Sequence, residues 1–188
     1  MAIAYLNPAS ATTNAAWNSS TLAHLAQGQT SNHWTTTGNL ANLICTLSDF
    51  DNTGVASIDS IQIVVVGLFD QRVGSWTAKT RITDASNNAY YTENLPIPAG
   101  RSMATVGGTV RTTSNGSAAW TDSNLDGMKI DVFSSDCATS GKMEQFYIKV
   151  TYTEATGYGN AVLGVASSDI ASIKGIATAD INEVIGVD

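Results

Sequence analysis

Charge is scarce in this sequence: Asp, Glu, Lys and Arg together make up 13% of its 188 residues. The solvated surface must therefore be built from Thr, Ser, Asn, Ala and Gly, a composition that suits an extracellular surface better than a cytoplasmic enzyme. The Glu, Lys, Arg and Leu on which long soluble helices lean are thin, whereas Thr and Val runs favour strands, so helix content is expected to be low. Nine basic residues in a chain of net charge -7, with no Lys/Arg cluster, exclude phosphate-led nucleic-acid binding. There are two cysteines. Cys45 lies in the apolar run Leu43-Ile44-Cys45 and Cys137 in a Ser/Thr/Gly-rich stretch, and these unmatched contexts point to two free thiols rather than a disulfide. No basic segment followed by an apolar one opens the chain, and no apolar run reaches membrane-spanning length. The expectation is a protein neither Sec-exported nor membrane-inserted, so that an extracellular destination requires another route, such as release inside a particle.

The residue types of catalysis are just as sparse. His24 and His33 are the two histidines, and neither has a Cys or carboxylate at metal-ligand spacing. Asp49-Phe50-Asp51-Asn52 resembles the start of a calcium loop but lacks the glycine and terminal glutamate of an EF-hand, and reads as a turn. No Gly-x-Ser-x-Gly elbow, phosphate-cradling glycine loop or zinc-binding histidine pair occurs. The expectation is a protein that is not an enzyme and holds no metal or cofactor. Trp17, Trp34, Trp76 and Trp120 read first as core-filling side chains. Trp34, beside His33, and the loop residue Asn115 are kept as candidate contacts to a glycan.

What is present is strand periodicity. Residues 40–47 form the first clear strand, closed by turn residues Asp49, Asp51, Asn52 and Gly54. The nearly continuous apolar run over 58–68 is expected in the middle of a sheet. Residues 76–83 alternate Trp76, Ala78, Thr80 and Ile82 against Thr77, Lys79, Arg81 and Thr83, the period of a strand with one buried face. Asp84-Ala85-Ser86-Asn87-Asn88 reads as a hairpin loop into residues 89–92. Further strands are expected over 103–110, ahead of a loop at 112–117 containing Asn115, over 128–133, and over 144–153. Residues 1–36 read as irregular or extended, with one helical turn at 21–26. The fold class is all-β, an antiparallel, jelly-roll-like β-sandwich over residues 1–154, followed by a linker over 155–163 and a repeat segment over 164–188.

That segment repeats with a period of 11 residues: Gly164-Val165-Ala166-Ser167-Ser168-Asp169-Ile170-Ala171-Ser172-Ile173-Lys174 is matched from Gly175, and Gly186-Val187-Asp188 begins another copy. Ser167 or Thr178 can cap a short helix, with Asp169 or Asp180 in its first turn. Ile170 with Ile173, and Ile181 with Val184, then share a face, and the next glycine stops the helix. Each copy is therefore expected to be a helix of one or two turns. Such a helix is marginal alone, so the stripe of Val165, Ile170, Ile173, Ile176, Ile181 and Val184 must dock on something. A continuous helix with a right-handed 11-residue period is the alternative, and the recurring glycine weighs against it.

Several of these segments, in this order, resemble a β-sandwich domain of tailed-bacteriophage structural proteins. Trp17 and the loop after it, Leu43-Ile44-Cys45-Thr46-Leu47, and Ile58-Asp59-Ser60-Ile61-Gln62-Ile63-Val64-Val65 resemble that domain's opening, with Ser60 where its strand pattern carries glycine. Trp120-Thr121-Asp122-Ser123-Asn124-Leu125 with Met128-Lys129-Ile130-Asp131-Val132 resembles its late segment, and 146–153 its closing strand. The Gly-Val-Ala-x-x-Asp-Ile-x-x-Ile repeat is similar to one at the ends of phage tail and virion proteins. The resemblance implies a jelly-roll-like sandwich in the virion, acting as a capsid decoration, head-fibre or tail-associated protein. Its implied partners are other virion proteins and further copies of itself, with closed cyclic symmetry suggesting a trimer. No catalytic residue carries over. Recognition of a host-surface glycan is the competing expectation.

Overall fold

In the computed structural model, the residues described are 1–13, 17–18, 25–28, 34–36, 41–69, 75–114, 118–134, 141–155, 172–173 and 176–177. In chain order the strands are β1 (Ala2–Leu6), β2 (Pro8–Thr13), β3 (Trp17–Asn18), β4 (Trp34–Thr36), β5 (Ala41–Leu47), β6 (Val55–Phe69), β7 (Ser75–Thr83), β8 (Ala89–Pro98), β9 (Ala104–Gly107), β10 (Thr113–Ser114) and β11 (Ala118–Ala119). A four-residue helix, α1 (Asp122–Leu125), precedes β12 (Lys129–Ser134), β13 (Gly141–Glu154), β14 (Ser172–Ile173) and β15 (Ile176–Ala177). One sheet runs β3-β4-β13-β6-β9, with β1 also on β13, and the other runs β2-β5-β12-β7-β8. Every strand pairing among the described residues is antiparallel. This is the sandwich expected from the periodicity, its strands crossing repeatedly between the sheets.

The core follows from alternation. On β13, Phe146, Ile148 and Val150 are fully buried, and on β6 the inward residues Ile61, Ile63 and Val65 meet them. Leu43, Cys45, Ala78, Ile82, Leu95, Ile97, Ile130 and Val132 face them from the other sheet within the same apolar cluster. Burying one such side chain contributes roughly 1.5–3 kcal/mol. The apolar run of β6 lies between β13 and β9. Val64, Val66 and Leu68, at the alternate positions, are buried as well, which is why the run is continuous rather than alternating. On β7, Ala78, Thr80 and Ile82 are buried while Lys79 is exposed.

The turns rest on side-chain acceptors. Asp84 takes the backbone amide of Asn88 at 2.8 Å and its side-chain amide at 2.9 Å. Asn87, between them, is the one described non-glycine residue with positive φ, 68°, a conformation asparagine tolerates. Asp51 Oδ1 accepts from the amide of Thr53 at 3.0 Å, and Gly54 follows at φ 71°. Both carboxyls are held below the usual carboxylate range, Asp51 chiefly by the Thr53 amide and Asp84 chiefly by the Asn88 side chain.

Three local expectations are corrected. The opening is extended, as one of its two readings had it, but regular rather than irregular: β1 pairs with β13 in one sheet and β2 with β5 in the other. Asn7 lies between them, and Ser48 N donates to its carbonyl at 2.8 Å. Its alternation of small residues with Ile3 and Tyr5 is too weakly apolar to read as a strand. The strand expected over 103–110 ends at Gly107, and part of the loop expected over 112–117 is a ladder, with Thr113 and Ser114 paired to Ala119 and Ala118. The helical reading of the repeat fails where it is described, because Ser172 and Ile173 pair antiparallel with Ala177 and Ile176. β-Branched Ile on either side of a two-residue Lys-Gly interval matches the length and chemistry of the tightest hairpins, and a one-turn helix has little to oppose it.

Candidate functional site

Of the stripe expected to dock, Ile173 and Ile176 are described and stand opposite each other across β14 and β15. Val165, Ile170, Ile181 and Val184 lie outside the described residues, as do Asn115, His24, His33 and Cys137. Trp34 does not fit its glycan role: it is 3% exposed and belongs to the apolar core, on β4 where that strand pairs with Met143. A ring with so little accessible surface offers no stacking face. Cys45 is a buried free thiol, pushed up to about 12 by burial and then by the nearby Asp131 charge. Asp49-Phe50-Asp51-Asn52 forms the turn described above, with Phe50 buried against Tyr152. Asn52 Nδ2 donates to Asp122 Oδ2 at 2.7 Å, tying this turn to α1. No group of three or more metal-ligating side chains gathers among the described residues, and none of their helices is long and apolar enough to cross a membrane.

The best-built polar surface lies where β8, the edge of one sheet, runs beside β9 and the chain after it. Glu93 reaches out of β8 and accepts from the Thr109 amide at 2.7 Å through Oε2, and from Arg111 Nε and Nη2 at 3.0 and 2.7 Å through Oε1. The Arg111 guanidinium lies 4.3 Å from the centre of the Tyr91 ring, whose hydroxyl donates to the Thr113 carbonyl. Trp120 Nε1 donates to the Arg111 carbonyl at 2.9 Å, and the indole meets Tyr90 edge-on at 5.5 Å. Together these contacts clamp the described residues 108–114 and 118–120 across the open side of the sandwich. Charge-assisted bonds of this kind are the stronger ones.

Gly107 and Gly108, read from sequence as a bend or bulge, have a steric reason to be glycine. A Cβ on Gly108 would fall 2.2 Å from Glu93 Oε2, and one on Gly107 would fall 2.6 Å from Gln62 Nε2. Gln62 Nε2 in turn donates to the Gly108 carbonyl at 2.8 Å. Nothing in the spacing of Glu93 and Arg111 along the chain signals that they meet; their pairing is a product of the sheet edges.

Around this clamp is an open groove of about 500 Å³ lined by Thr92, Asn94, Pro96, Thr109 and the glycines. Arg111 and Glu93 are committed to each other. The exposed Thr92, Asn94 and Thr109 are the groups left to hydrogen-bond a hydroxylated ligand. A second hollow of about 410 Å³, walled by Phe50, Val55, Ile58, Trp120 and Asp122, lies along the start of β6.

No protein-family model matches the chain, and neither does any curated protein sequence. Among solved structures it is similar to the enzymatically active domain of tailspike protein 4 of bacteriophage CBA120, at 13% identity and a TM-score of 0.43, over 80% of this chain and 19% of that one. It is likewise similar to CtCBM11, known from a solution structure, at 12% identity and a TM-score of 0.43, over 80% of this chain and 95% of that one. The chain thus spans about a fifth of the tailspike chain it matches.

Proposed function

We propose that this protein is a non-enzymatic structural protein of a tailed-phage virion, a capsid decoration, head-fibre or tail-associated protein that joins the particle through protein–protein contacts. The observation that carries the reading is the apolar 11-residue repeat after residue 163. Ile173 and Ile176 within it form a two-residue ladder that, among the described residues, pairs with no strand of either sheet. A two-residue ladder cannot stand alone in water, so its apolar residues need a partner surface. The ordered resemblance of the 58–65, 120–132 and 146–153 segments to phage virion sandwiches supplies the setting.

The test is a phage carrying the chain without residues 163–188. Particles should lose the protein while the truncated sandwich, purified, keeps its cooperative melt; normal incorporation would end the proposal. The adhesion reading, binding of a host-surface glycan, has its specific support in the groove of Thr92, Asn94 and Thr109 rather than in Trp34. Binding on a glycan array that disappears in Asn94→Ala would favour it, and no binding across host polysaccharides would count against it.

A further inference from the structure

The two flanks of the sandwich are guarded differently. On one flank, β8 places Pro96 and Pro98 opposite Thr77 and Ser75. A proline tolerated in a sheet points its nitrogen to the free edge, so two donor positions along that edge are blank. Glu93 and the Arg111 clamp cover more of it. On the other flank, β1 reads Ala2-Ile3-Ala4-Tyr5-Leu6, with no charge and no proline, and among the described residues it pairs with β13 alone. Its outward side chains are exposed: Ile3 is 50% and Tyr5 38% accessible, and Met1 beside them 96%. Edge strands of this kind are what soluble proteins normally suppress with charge or proline.

We propose that β1 is a self-association edge, on which a second copy of this chain pairs antiparallel, β1 to β1, about a two-fold axis at Ala4. This goes beyond the attachment role of the repeat and does not depend on it. Three observations favour a second copy as the occupant. The first is register: with Ala4 on the axis, Ile3 of each copy faces Tyr5 of the other on the outer face, an aromatic–β-branched pair made twice. The same register sets Ala2 against Leu6 on the inner face.

The second is charge. A net charge of -7 keeps copies apart over most surfaces, but β1 carries none. The cations beside it are the amino group of Met1 and Lys149, which pairs with Tyr5. In the two-fold arrangement the two Lys149 residues lie three strand spacings and two residues apart, about 16 Å, beyond the screening length of about 8 Å in physiological salt.

The third is area. With side chains of about 150–200 Å² each, the exposed parts of Met1, Ile3 and Tyr5 amount to roughly 300 Å² per copy. With the strand backbones, the contact totals at most about 1,000 Å², below the standard size of a specific interface. The association is therefore weak and reversible.

Sedimentation of the full chain between about 1 and 500 µM should show monomer passing to dimer, and Ile3→Glu should raise the dissociation constant at least about tenfold. Near-ultraviolet dichroism and the melting curve verify that the variant is folded. A second variant reads the register directly. Residues directly opposite on antiparallel strands are about 4.5–5.5 Å apart at Cα, within disulfide reach. Ile3→Cys with Tyr5→Cys, in a Cys137→Ser background, should oxidise to a covalent dimer, and Ile3→Cys alone should not. A monomer at every concentration, a trimer, or a dimer indifferent to Ile3→Glu would overturn the proposal.

Discussion

Replacing Gly108 with alanine should destabilise the protein through Glu93, and a double-mutant cycle can show it. The added methyl would fall 2.2 Å from Glu93 Oε2 and 3.1 Å from Ile63 Cγ2. A carboxylate at the end of a free side chain would move aside at little cost, but this one is anchored by Thr109 N and by Arg111 Nε and Nη2. Moving Oε2 by more than an ångström breaks the Thr109 bond and skews the fork to Arg111. Hydrogen bonds to charged groups contribute about 1.5–3 kcal/mol. The Arg111 and Glu93 side chains are 28% and 13% exposed, so solvent screening keeps the sum near the low end, about 2 kcal/mol. Alanine returns about 0.4–1 kcal/mol by restricting the unfolded chain. The net expectation for Gly108→Ala is a loss of about 1.5 kcal/mol in urea unfolding with an unchanged m-value. In a Glu93→Ala background the obstruction is gone, and the same substitution should cost less than about 0.5 kcal/mol, a coupling of at least about 1 kcal/mol. Equal costs in both backgrounds would place the obstruction at Ile63 or the backbone and refute the anchored-carboxylate argument.

Trp34→Ala should cost about 3–5 kcal/mol in chemical unfolding, as a large core deletion does; a change within about 0.5 kcal/mol would mean that the ring is not in the core. Acid should weaken the two Asp turns. Asp51 and Asp84 have lowered values in the folded protein, so their contribution is present above the unfolded carboxylate value of about 3.9 and is lost as pH falls through the folded values. The melting-temperature gap between wild type and Asp51→Asn/Asp84→Asn should therefore close on acidification, and a gap constant down to about pH 2.5 would contradict it. Cys45, buried and with its thiol pushed up to about 12, should resist a thiol reagent at neutral pH in a Cys137→Ser background until the protein unfolds; rapid native labelling would show that the site opens locally.

Sequence was informative where one face of a strand had to be apolar. The alternation over 76–83 and 144–153 and the unbroken run over 58–68 correspond to β7, β13 and β6, because a period of two is imposed by the pleat itself. The turn at Asp84 was legible for the same kind of local reason, since its acceptor and amides lie within five residues. β1 was not. Its inward residues are Ala2, Ala4 and Leu6, two of them too small to mark a buried face. What makes it a strand is the partner it meets on β13, far along the chain.

The polar clamp was illegible for a stricter reason. Glu93 comes from β8 and Arg111 from the chain after β9, and neither has a local neighbour that signals its role; only the pair of glycines hinted that something approached closely there. Trp34 is the core side chain that its residue type first suggested, and its second reading as a glycan contact fails because the assembled sheet buries the ring. The repeat exposes the limit of periodicity itself. Ile170 with Ile173 satisfies a helical i, i+3 spacing, while Ile173 with Ile176, also three apart, satisfies the ends of a two-residue hairpin, and among the described residues these two are paired antiparallel. Three-residue spacing between β-branched residues with glycine inside the interval therefore argues for a strand turn, and helical spacing decides only where the interval is free of glycine and the stripe continues beyond one turn.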